Sequence, residues 1–307
     1  MKIIHSPSEL GSARRKVCLA IGFFDGVHLG HQQIIRQTIS DARQHDGLAL
    51  ILTFDRHPNS VIAPERVPPL IYPLDQKLRV IESLGADATL VLQFDKALSE
   101  RSGEEFIRSL AAEAGPIRSI CVGANFVFGH KRSGNVELLR RLGAELGFAV
   151  HGHAAVSLDG KAVSSTRIRQ AISGGHLDAA SQMLGRPYSL VGQVVLGDQL
   201  GRKLGFPTAN LDVTGLVLPP SGVYVAQVKS TAGLHRGVVN IGTRPTLKTP
   251  QTQLRVEAHL LSFSGDLYGT TLELVLLEKL RDEKKFPSVA ELRDQIARDI
   301  SEAEAKF

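Results

Sequence analysis

The stretch "GFFDGVHLGH", residues 22–31, decides how the N-terminal half of this chain folds. It follows the apolar run "VCLAIG", residues 17–22, and precedes a helical pattern over residues 30–45. A buried strand, a glycine-rich turn and a helix are the opening of an α/β fold. The N–H groups exposed at the start of a helix attract anions, phosphate above all. The stretch therefore predicts a phosphate-binding turn, with a helix that begins near Leu29 or Gly30.

Two histidines in this stretch, His28 and His31, are three residues apart and share a face if the turn is already helical. Imidazoles beside a phosphate can donate hydrogen bonds as charge builds on a phosphoryl group. Two other interpretations stay open on the stretch alone. The pair could be half of a metal site, although no third ligand is evident nearby. The glycines could also form a purely structural turn, which would leave both histidines unexplained.

Beyond this turn, apolar runs alternate with helical patterns as far as residue 156. The apolar runs cover residues 48–54, 88–94, 117–123 and 148–156, and the helical patterns cover residues 74–84, 100–114 and 136–147. This alternation predicts a parallel sheet wrapped by helices. In such sheets ligands bind at the carboxyl ends of the strands.

The sequence pattern changes after about residue 185, where glycine and proline become frequent and short β-type runs dominate. These runs cover residues 188–198, 222–230, 235–242, 254–263 and 271–280. They predict the antiparallel strands of a small barrel. A final helix is expected to begin at Ser288, with Glu291 completing a capping box. We therefore predict two domains, 1–184 and 185–307.

The composition is that of an ordinary globular chain, with 43% hydrophobic and 22% charged residues among 307. No apolar run approaches the roughly 20 residues of a membrane span, and the N-terminus lacks the pattern of a secretory signal. We expect a cytoplasmic protein without a membrane partner. The net charge of +5 is not accompanied by a basic stripe interleaved with aromatics, so we expect no nucleic-acid partner.

The two cysteines, Cys18 and Cys121, both lie in β-type runs. This placement predicts buried, reduced thiols rather than a disulfide or a metal site. The oligomeric state stays open between a monomer and weak self-association.

Three further polar stretches follow predicted strands: "TFDRHP" at residues 53–58, "VGANFVFG" at 122–129 and "VSSTRIR" at 163–169. All three are expected at the ligand-binding edge of the sheet. The hydroxyls of Ser165 and Thr166 and the guanidinium of Arg169 form a candidate second phosphate grip. A segment of this kind is also a common helix N-cap, and that interpretation stays open.

Together these stretches resemble a known family. "GFFDGVHLGH" with "VSSTRIR" resembles the paired signatures of the HxGH nucleotidylyltransferases. "TFDRHP" with "GANFVFG" resembles the FMN adenylyltransferase module of the bacterial bifunctional riboflavin kinase/FAD synthetases. The resemblance implies a Rossmann-like domain that transfers AMP from MgATP to the phosphate of FMN and releases pyrophosphate.

The resemblance also implies which residues form this site. The histidine pair would contact the ATP phosphates, Asn125 would help to position the substrate phosphate, and the "VSSTRIR" residues would hold the leaving pyrophosphate. The implied catalytic residues are His28, His31, Asn125 and Arg169, and the implied nucleotide-binding residues are Gly22, Phe24, Asp25, Gly30, Ser165 and Thr166. No general base is required, because a phosphate monoester with a second pKa of about 6 is already ionised at neutral pH.

The second half contains "GRKLGFPTANL", residues 201–211, in which the glycines at 201 and 205 predict a loop able to approach a ligand closely. Its "FPTAN" portion is expected to be extended, so Thr208 and Asn210 project to the same side. Two neutral oxygen ligands suit Mg²⁺, which takes substrate phosphates and waters as its remaining ligands. Taken alone, a stretch of this kind is more commonly a Gly/Pro turn capped by a hydroxyl and an amide, and that interpretation stays open.

This stretch stands in a series that resembles the riboflavin kinase domain: "NIGTRPT" at 240–246, "VEAHLLSF" at 256–263, "DLYG" at 266–269 and "LRDEKKFPS" at 280–288. The resemblance implies a six-stranded antiparallel barrel in which the Thr and Asn of "PTAN" meet magnesium and ATP. It assigns Glu257 as the general base that a neutral riboflavin hydroxyl requires. It also implies nucleotide contacts by Gly201, Lys203 and Gly205, and flavin contacts by Phe206, Arg281 and Phe286.

From the resemblance we expect a bifunctional enzyme of flavin cofactor biosynthesis. It would phosphorylate riboflavin to FMN and then adenylylate FMN to FAD, with ATP as co-substrate and Mg²⁺ as cofactor. The alternative is a chain in which only the kinase is active, because the N-terminal domain is inactive or uses another phosphate ester.

Overall fold

The computed structural model describes residues 1–10, 15–197, 199–244 and 253–307. The chain divides into two compact units, Met1–Arg167 and Ile168–Phe307. Each unit has a hydrophobic core of its own.

The first unit is built on a parallel sheet to which six strands contribute within the described residues. In chain order the strands of this unit are β1 (Lys2–Ile4), β2 (Val17–Ile21), β3 (Leu48–Phe54), β4 (Ala88–Leu92), β5 (Ile117–Gly123), β6 (Val127–Phe128), β7 (Gly134–Asn135), β8 (Ala149–His153), β9 (Ser157–Leu158) and β10 (Lys161–Ala162). The sheet order is β1-β4-β3-β2-β5-β8, and every neighbouring pair is parallel. The remaining four strands form two small antiparallel hairpins.

Helices follow the strands of this sheet, as the alternating sequence pattern predicts. They are α1 (Leu29–Gln44), α2 (Asn59–Ile62), α3 (Leu74–Ser83), α4 (Lys96–Glu100), α5 (Gly103–Glu113) and α6 (Val136–Leu146), and α7 (Ser165–Ser173) begins in this unit and ends in the second. The helix predicted over 100–114 begins later, at Gly103, because Ser102 and Glu105 form a capping box. The short helices α2 and α4 and the two hairpins contain too few residues to show a hydrophobic period in the sequence.

The order in which the strands are added to the sheet reverses at β2. From β2 the chain proceeds outward through β3 and β4 on one side, and through β5 and β8 on the other. The crevice at the carboxyl ends of β2 and β5 is therefore the topological switch point, where α/β sheets bind ligands. Cys18 on β2 and Cys121 on β5 are free and buried, as predicted.

The second unit contains a closed antiparallel barrel. Its helices are α8 (Leu177–Leu184), α9 (Leu200–Leu204) and α10 (Val289–Glu304), and its strands are β11 (Ser189–Val195), β12 (Ala209–Asp212), β13 (Gly222–Ser230), β14 (Gly233–Arg244), β15 (Gln253–Leu260) and β16 (Thr271–Arg281). The barrel order is β11-β12-β15-β14-β13-β16. β11 pairs with both β12 and β16, which closes the barrel.

The C-terminal helix α10 packs on the barrel through an apolar face. Ala303 lies in one buried cluster with Val223, Val225 and Val238, and Ile300 packs against it. Ser288 is the N-cap and accepts a hydrogen bond from the Glu291 N–H at 3.2 Å, as the sequence predicts. The fold class is therefore confirmed: a parallel α/β domain, then a six-stranded antiparallel barrel, then a helix.

Candidate active sites

The turn after β2 has an uncommon backbone conformation. Phe24 and Val27 have positive φ angles of 54° and 41°, and Gly26 has a φ of 76°. A Cβ atom at Gly22 would lie 2.9 Å from the ring of Phe24, so only glycine lets this ring fold back against the chain. Phe24 itself is buried. The chain thereby passes from β2 into α1 in few residues and brings the first turn of α1 to the switch point.

The predicted histidine pair occupies the start of α1. His28 is the N-cap, and its Nδ1 accepts a hydrogen bond from the His31 N–H at 3.4 Å. Because Nδ1 is the acceptor, a neutral His28 carries its proton on Nε2. The two rings stack with their centroids 3.5 Å apart and an interplanar angle of 20°. This confirms that the two imidazoles share a face, as their spacing predicts.

The carboxylate of Asp25 accepts hydrogen bonds from backbone N–H groups. It is 3% exposed and accepts hydrogen bonds from the N–H of Ile71, at 3.0 and 3.1 Å, and of Tyr72, at 3.3 Å. These bonds tie the turn after β2 to the segment that leads into α3. The predicted contact between Asp25 and a nucleotide stays a prediction, and the side chain is seen to anchor the turn.

The two signature stretches of this unit meet in the structure. The Ser165 hydroxyl donates to the carbonyl oxygen of Asp25 at 3.1 Å. The preceding serine, Ser164, has the capping role, since its Oγ accepts from the Arg167 N–H at 3.2 Å. Thr166 is exposed in the first turn of α7. Ser165 is thus held at the turn after β2, while its neighbour caps the helix.

The structure also shows where two further predicted residues, Arg169 and Asn125, lie. Arg169 lies on α7, one helical turn beyond Ser165. Asn125 is exposed in the turn that follows β5, and β5 is the neighbour of β2 across the switch point. The position of Asn125 at the carboxyl edge agrees with the expected location of the "VGANFVFG" stretch.

The barrel unit contains a cavity of about 370 Å³. Most residues predicted for this half of the chain line it: Gly201, Phe206, Thr208, Asn210, Glu257, Arg281 and Phe286. Lys203 lies at the exposed end of α9 and Gly205 directly follows this helix, and neither residue lines the cavity.

The segment over residues 201–205 is not the predicted glycine loop, because residues 200–204 are helical. Gly205 ends this helix with a φ of 91°, a conformation that favours glycine.

A row of polar side chains crosses three barrel strands at the cavity. Asn210 on β12 pairs in register with Glu257 on β15, and Glu257 pairs in register with Asn240 on β14. Directly paired residues of adjacent strands project from the same face of the sheet, and all three line the cavity. Thr208 lies two residues before Asn210 and lines it as well. The shared direction predicted for Thr208 and Asn210 is confirmed, and β12 includes the last two residues of "FPTAN".

Arg281 lines the cavity but is engaged with α10. Its Nε and Nη2 donate to the two carboxylate oxygens of Asp299 at 2.9 and 2.7 Å, and its Nη1 donates to the Asp282 carbonyl at 2.9 Å. Asp299 is 4% exposed. The guanidinium lies 5.8 Å from the ring centroid of Phe286. A flavin contact by Arg281 stays a prediction, and the structure shows a buried ion pair that joins β16 to α10.

Sequence reasoning did not single out several cavity residues, among them Asn240, His259 and Asp299. The ring of His259 bonds through Nδ1 to the Pro207 carbonyl at 2.7 Å, which fixes "FPTAN" beside β15. The position of His259, two residues after Glu257 on one strand face, was an available signal. Asp299 carried none, because an acidic residue on a terminal helix is usually exposed. Residues 245 and 246 of the "NIGTRPT" stretch lie outside the described residues.

The described residues contain no group of three or more His, Cys, Asp or Glu side chains that could hold a metal ion. Among these residues, His28 and His31 are therefore not part of such a group, and the metal-site interpretation of the pair gains no support. The neutral oxygens of Thr208 and Asn210 fit Mg²⁺, which needs few protein ligands when substrate phosphates supply the rest.

Of the helices in the described ranges, none is long and apolar enough to cross a membrane.

Comparison with protein families identifies both units. Residues 11–167 match the family model for FAD synthetase, and residues 184–307 match that for riboflavin kinase. Residues 168–183 belong to the second unit by their contacts but to neither matched range. The predicted boundary between residues 184 and 185 stays a prediction.

Similar proteins span the whole chain. A bifunctional riboflavin kinase/FMN adenylyltransferase of Escherichia coli strain K12 is 37% identical over 304 residues, covering 97% of this chain and 96% of its own. The protein of the same description from Haemophilus influenzae is 34% identical and covers 100% of this chain and 99% of its own. A crystal structure from Streptococcus pneumoniae, titled a macrolide-efflux protein, superposes with a TM-score of 0.82 at 28% identity and covers 98% of both chains.

Proposed function

The chain belongs to the family of bifunctional riboflavin kinase/FMN adenylyltransferases, and from this membership we propose how its residues divide the two reactions. Riboflavin kinase activity belongs to the barrel, and FMN adenylyltransferase activity belongs to the α/β unit. Riboflavin, FMN and ATP are the substrates, and FAD is the product. The cytoplasmic location expected from the sequence stays a prediction.

In the α/β unit the proposed chemistry is alignment and charge stabilisation. The phosphate of FMN is ionised at neutral pH and attacks the α-phosphorus of ATP without a general base. The N-terminus of α1 and the Nε2 proton of His28 are the proposed donors to the phosphates as negative charge moves toward pyrophosphate. The stacked His31 sets the ring plane of His28. The observation that supports this proposal is the placement of the pair at the β2/β5 switch point.

The proposed grip on the leaving pyrophosphate comes from α7. Ser165 is held against Asp25, and Thr166 follows it in the first helical turn. Arg169 lies one turn on, with a guanidinium suited to two phosphate oxygens. Asn125 approaches the same edge from β5 and is proposed to position the phosphate of FMN.

In the barrel we propose that Glu257 is the general base. The 5′-hydroxyl of riboflavin is neutral and must lose its proton as it attacks the γ-phosphorus of ATP. Glu257 stands on the cavity wall between Asn210 and Asn240, where two amides can orient its carboxylate. We propose that Thr208 and Asn210 hold Mg²⁺, which neutralises charge on the transferred phosphoryl group when bound.

One incubation tests the assignment of both activities. Purified chain is mixed with riboflavin and MgATP, and the flavins are separated by chromatography over time. We expect FMN to appear first and FAD to follow together with pyrophosphate. FMN without FAD would favour the alternative in which only the kinase acts, and omission of Mg²⁺ is expected to stop the first step.

A further inference from the structure

A lysine that no sequence motif marks is buried beside the adenylyltransferase site. Lys77 lies on α3 and is 3% exposed. Its Nζ donates to the Phe23 carbonyl at 3.1 Å, the Thr53 hydroxyl at 3.0 Å and the Phe54 carbonyl at 3.0 Å. It also lies 4.5 Å from the centroid of the Phe23 ring. Burial of a lysine is costly unless specific partners compensate it, so these contacts require an explanation.

The partners of Lys77 come from two neighbouring strands of the sheet. Phe23 belongs to the turn after β2, the turn that leads into His28. Thr53 and Phe54 are the last two residues of β3, at the start of the "TFDRHP" stretch. The ammonium group therefore joins the carboxyl ends of both strands to α3.

The hydrogen-bond count requires the protonated form of this lysine. The Thr53 hydroxyl donates its single proton to the Phe23 carbonyl at 2.9 Å, so it can only accept from Lys77. The two carbonyls are also acceptors. Three acceptors need three N–H donors, and an ammonium group has three whereas a neutral amine has two. Burial lowers the pKa of Lys77 to about 8, while the charges of Asp25 and Asp55 raise it, so the group is mainly protonated at neutral pH.

The segment around α3 holds the turn after β2 at a second point. The Asp25 carboxylate accepts from the backbone of Ile71 and Tyr72, just before α3. Phe23 and Asp25 are thus fixed on either side of Phe24, whose φ of 54° is unfavourable without such support. The turn that delivers His28 depends on both attachments.

We propose that Lys77 is a positioning residue of the adenylyltransferase site, which holds the turn of residues 22–28 so that His28 and the N-terminus of α1 meet the phosphates of ATP. The inference rests on the proposed role of His28. It assigns no substrate contact to Lys77, which acts through the Phe23 carbonyl. A displacement of about 1 Å in such a donor can cost about a hundredfold in rate.

The test uses the full-length chain and the Lys77→Met variant, with Lys96→Met as the matched control, because Lys96 is an exposed lysine of the same unit. FMN and ATP are supplied, and kcat and KM for FAD formation are measured. We expect Lys77→Met to lower kcat by about ten- to a hundredfold with KM for FMN changed by less than about threefold, and Lys96→Met to leave both unchanged. Riboflavin phosphorylation by the same chains controls for the integrity of the barrel. A kcat unchanged in Lys77→Met would overturn the proposal.

The double variant Lys77→Met/His28→Ala separates positioning from general damage. If Lys77 acts through the turn that carries His28, its loss costs less in the His28→Ala chain than in the wild type, because only the N-terminus of α1 is then left to misplace. Additive losses would contradict the proposal. If His28→Ala alone leaves FAD formation intact, the proposed function of His28 fails instead. Should Lys77→Met not fold, Lys77→Arg and Lys77→Gln decide: kcat is expected to fall from wild type to Arg to Gln, and wild-type kcat in the Gln variant would overturn the proposal.

Discussion

At the scale of single residues, the N-cap histidine of α1 is expected to separate the two activities. His28→Ala removes one donor to the phosphates, and loss of such a donor costs about 10²–10³ in rate. We expect FAD formation from FMN to fall by that factor and riboflavin phosphorylation to stay unchanged, measured by chromatography of the products. His45→Ala, at the other end of the same helix, is the control. Loss of both activities in a folded His28→Ala chain would contradict the assignment.

Glu257 gives the converse result. Glu257→Gln keeps the size of the side chain and one acceptor oxygen but cannot take the proton of riboflavin, so kcat for FMN formation is expected to fall about 10²–10⁴-fold. Adenylylation of added FMN is expected to continue at the wild-type rate. Glu273→Gln, on the barrel strand β16 and paired with Lys229, controls for the loss of a barrel carboxylate. Normal FMN formation in Glu257→Gln would remove Glu257 from the mechanism.

The buried ammonium of Lys77 also predicts a pH dependence of stability. Its pKa is about 8 in the folded chain against 10.5 in the unfolded chain, so the unfolded state binds more protons between these values and stability rises with pH in this window. Relative to Lys77→Met, the free energy of unfolding of the wild type is expected to increase by about 2 kcal/mol between pH 7 and pH 10. Urea unfolding followed by circular dichroism at both pH values measures it. A difference independent of pH would show that Lys77 is not buried as a charge.

The residues that sequence reasoning found and missed differ in a physical way. His28 and Thr208 stand in short stretches whose composition itself suggests a ligand, and Glu257 was assigned through the family resemblance. Lys77 and Asp299 lie within ordinary amphipathic helices, where a charged residue normally faces water. Their burial follows from partners distant in the chain, such as Phe23 for Lys77 and Arg281 for Asp299. One sequence without its fold does not reveal those pairings.

At the scale of elements, the attachment of α10 to β16 depends on one buried ion pair. Asp299→Ala leaves Arg281 without its carboxylate partner, and breaking such a pair costs about 3 kcal/mol. We expect a lower unfolding midpoint for the barrel and a higher KM for riboflavin, because Leu292, Ile296 and Ile300 of α10 line the cavity. Glu278→Ala removes an exposed ion pair with Lys306 and is expected to cost much less, because exposed pairs contribute little to stability. Equal effects of the two substitutions would contradict this account.

Long elements were predictable because their hydrophobic period is repeated several times. The strand over 48–54 and the helices over 74–84 and 136–147 agree with β3, α3 and α6 to within a residue or two. The sequence did not reveal α9, because five residues are too short to show a helical period and two glycines flank or enter it. The edge strand β1, three residues long, was missed for the same reason. The pairing order of the strands is a tertiary property that periodicity does not encode.

At the scale of the whole molecule, each unit is expected to act without the other's chemistry. A chain with His28→Ala is expected to make FMN but little FAD, and a chain with Glu257→Gln is expected to make FAD mainly from added FMN. Mixing the two with riboflavin and MgATP is expected to restore FAD formation after a lag, because FMN is released and diffuses. Chromatography over time measures the lag, and the separate variants are the controls. A mixture in which neither free FMN nor FAD appears would show that FMN is not released between the two steps.

The positions of the two thiols have a consequence for the enzyme in a cell. Cys18 and Cys121 lie on the central strands β2 and β5 and are 0% exposed. Burial raises the pKa of both thiols, that of Cys121 to about 12, so neither offers the thiolate that peroxide, glutathione or alkylating reagents attack. The α/β unit completes a redox cofactor, yet both cysteines of the chain are protected from oxidation. FAD formation is therefore expected to tolerate thiol oxidants for as long as these strands stay together.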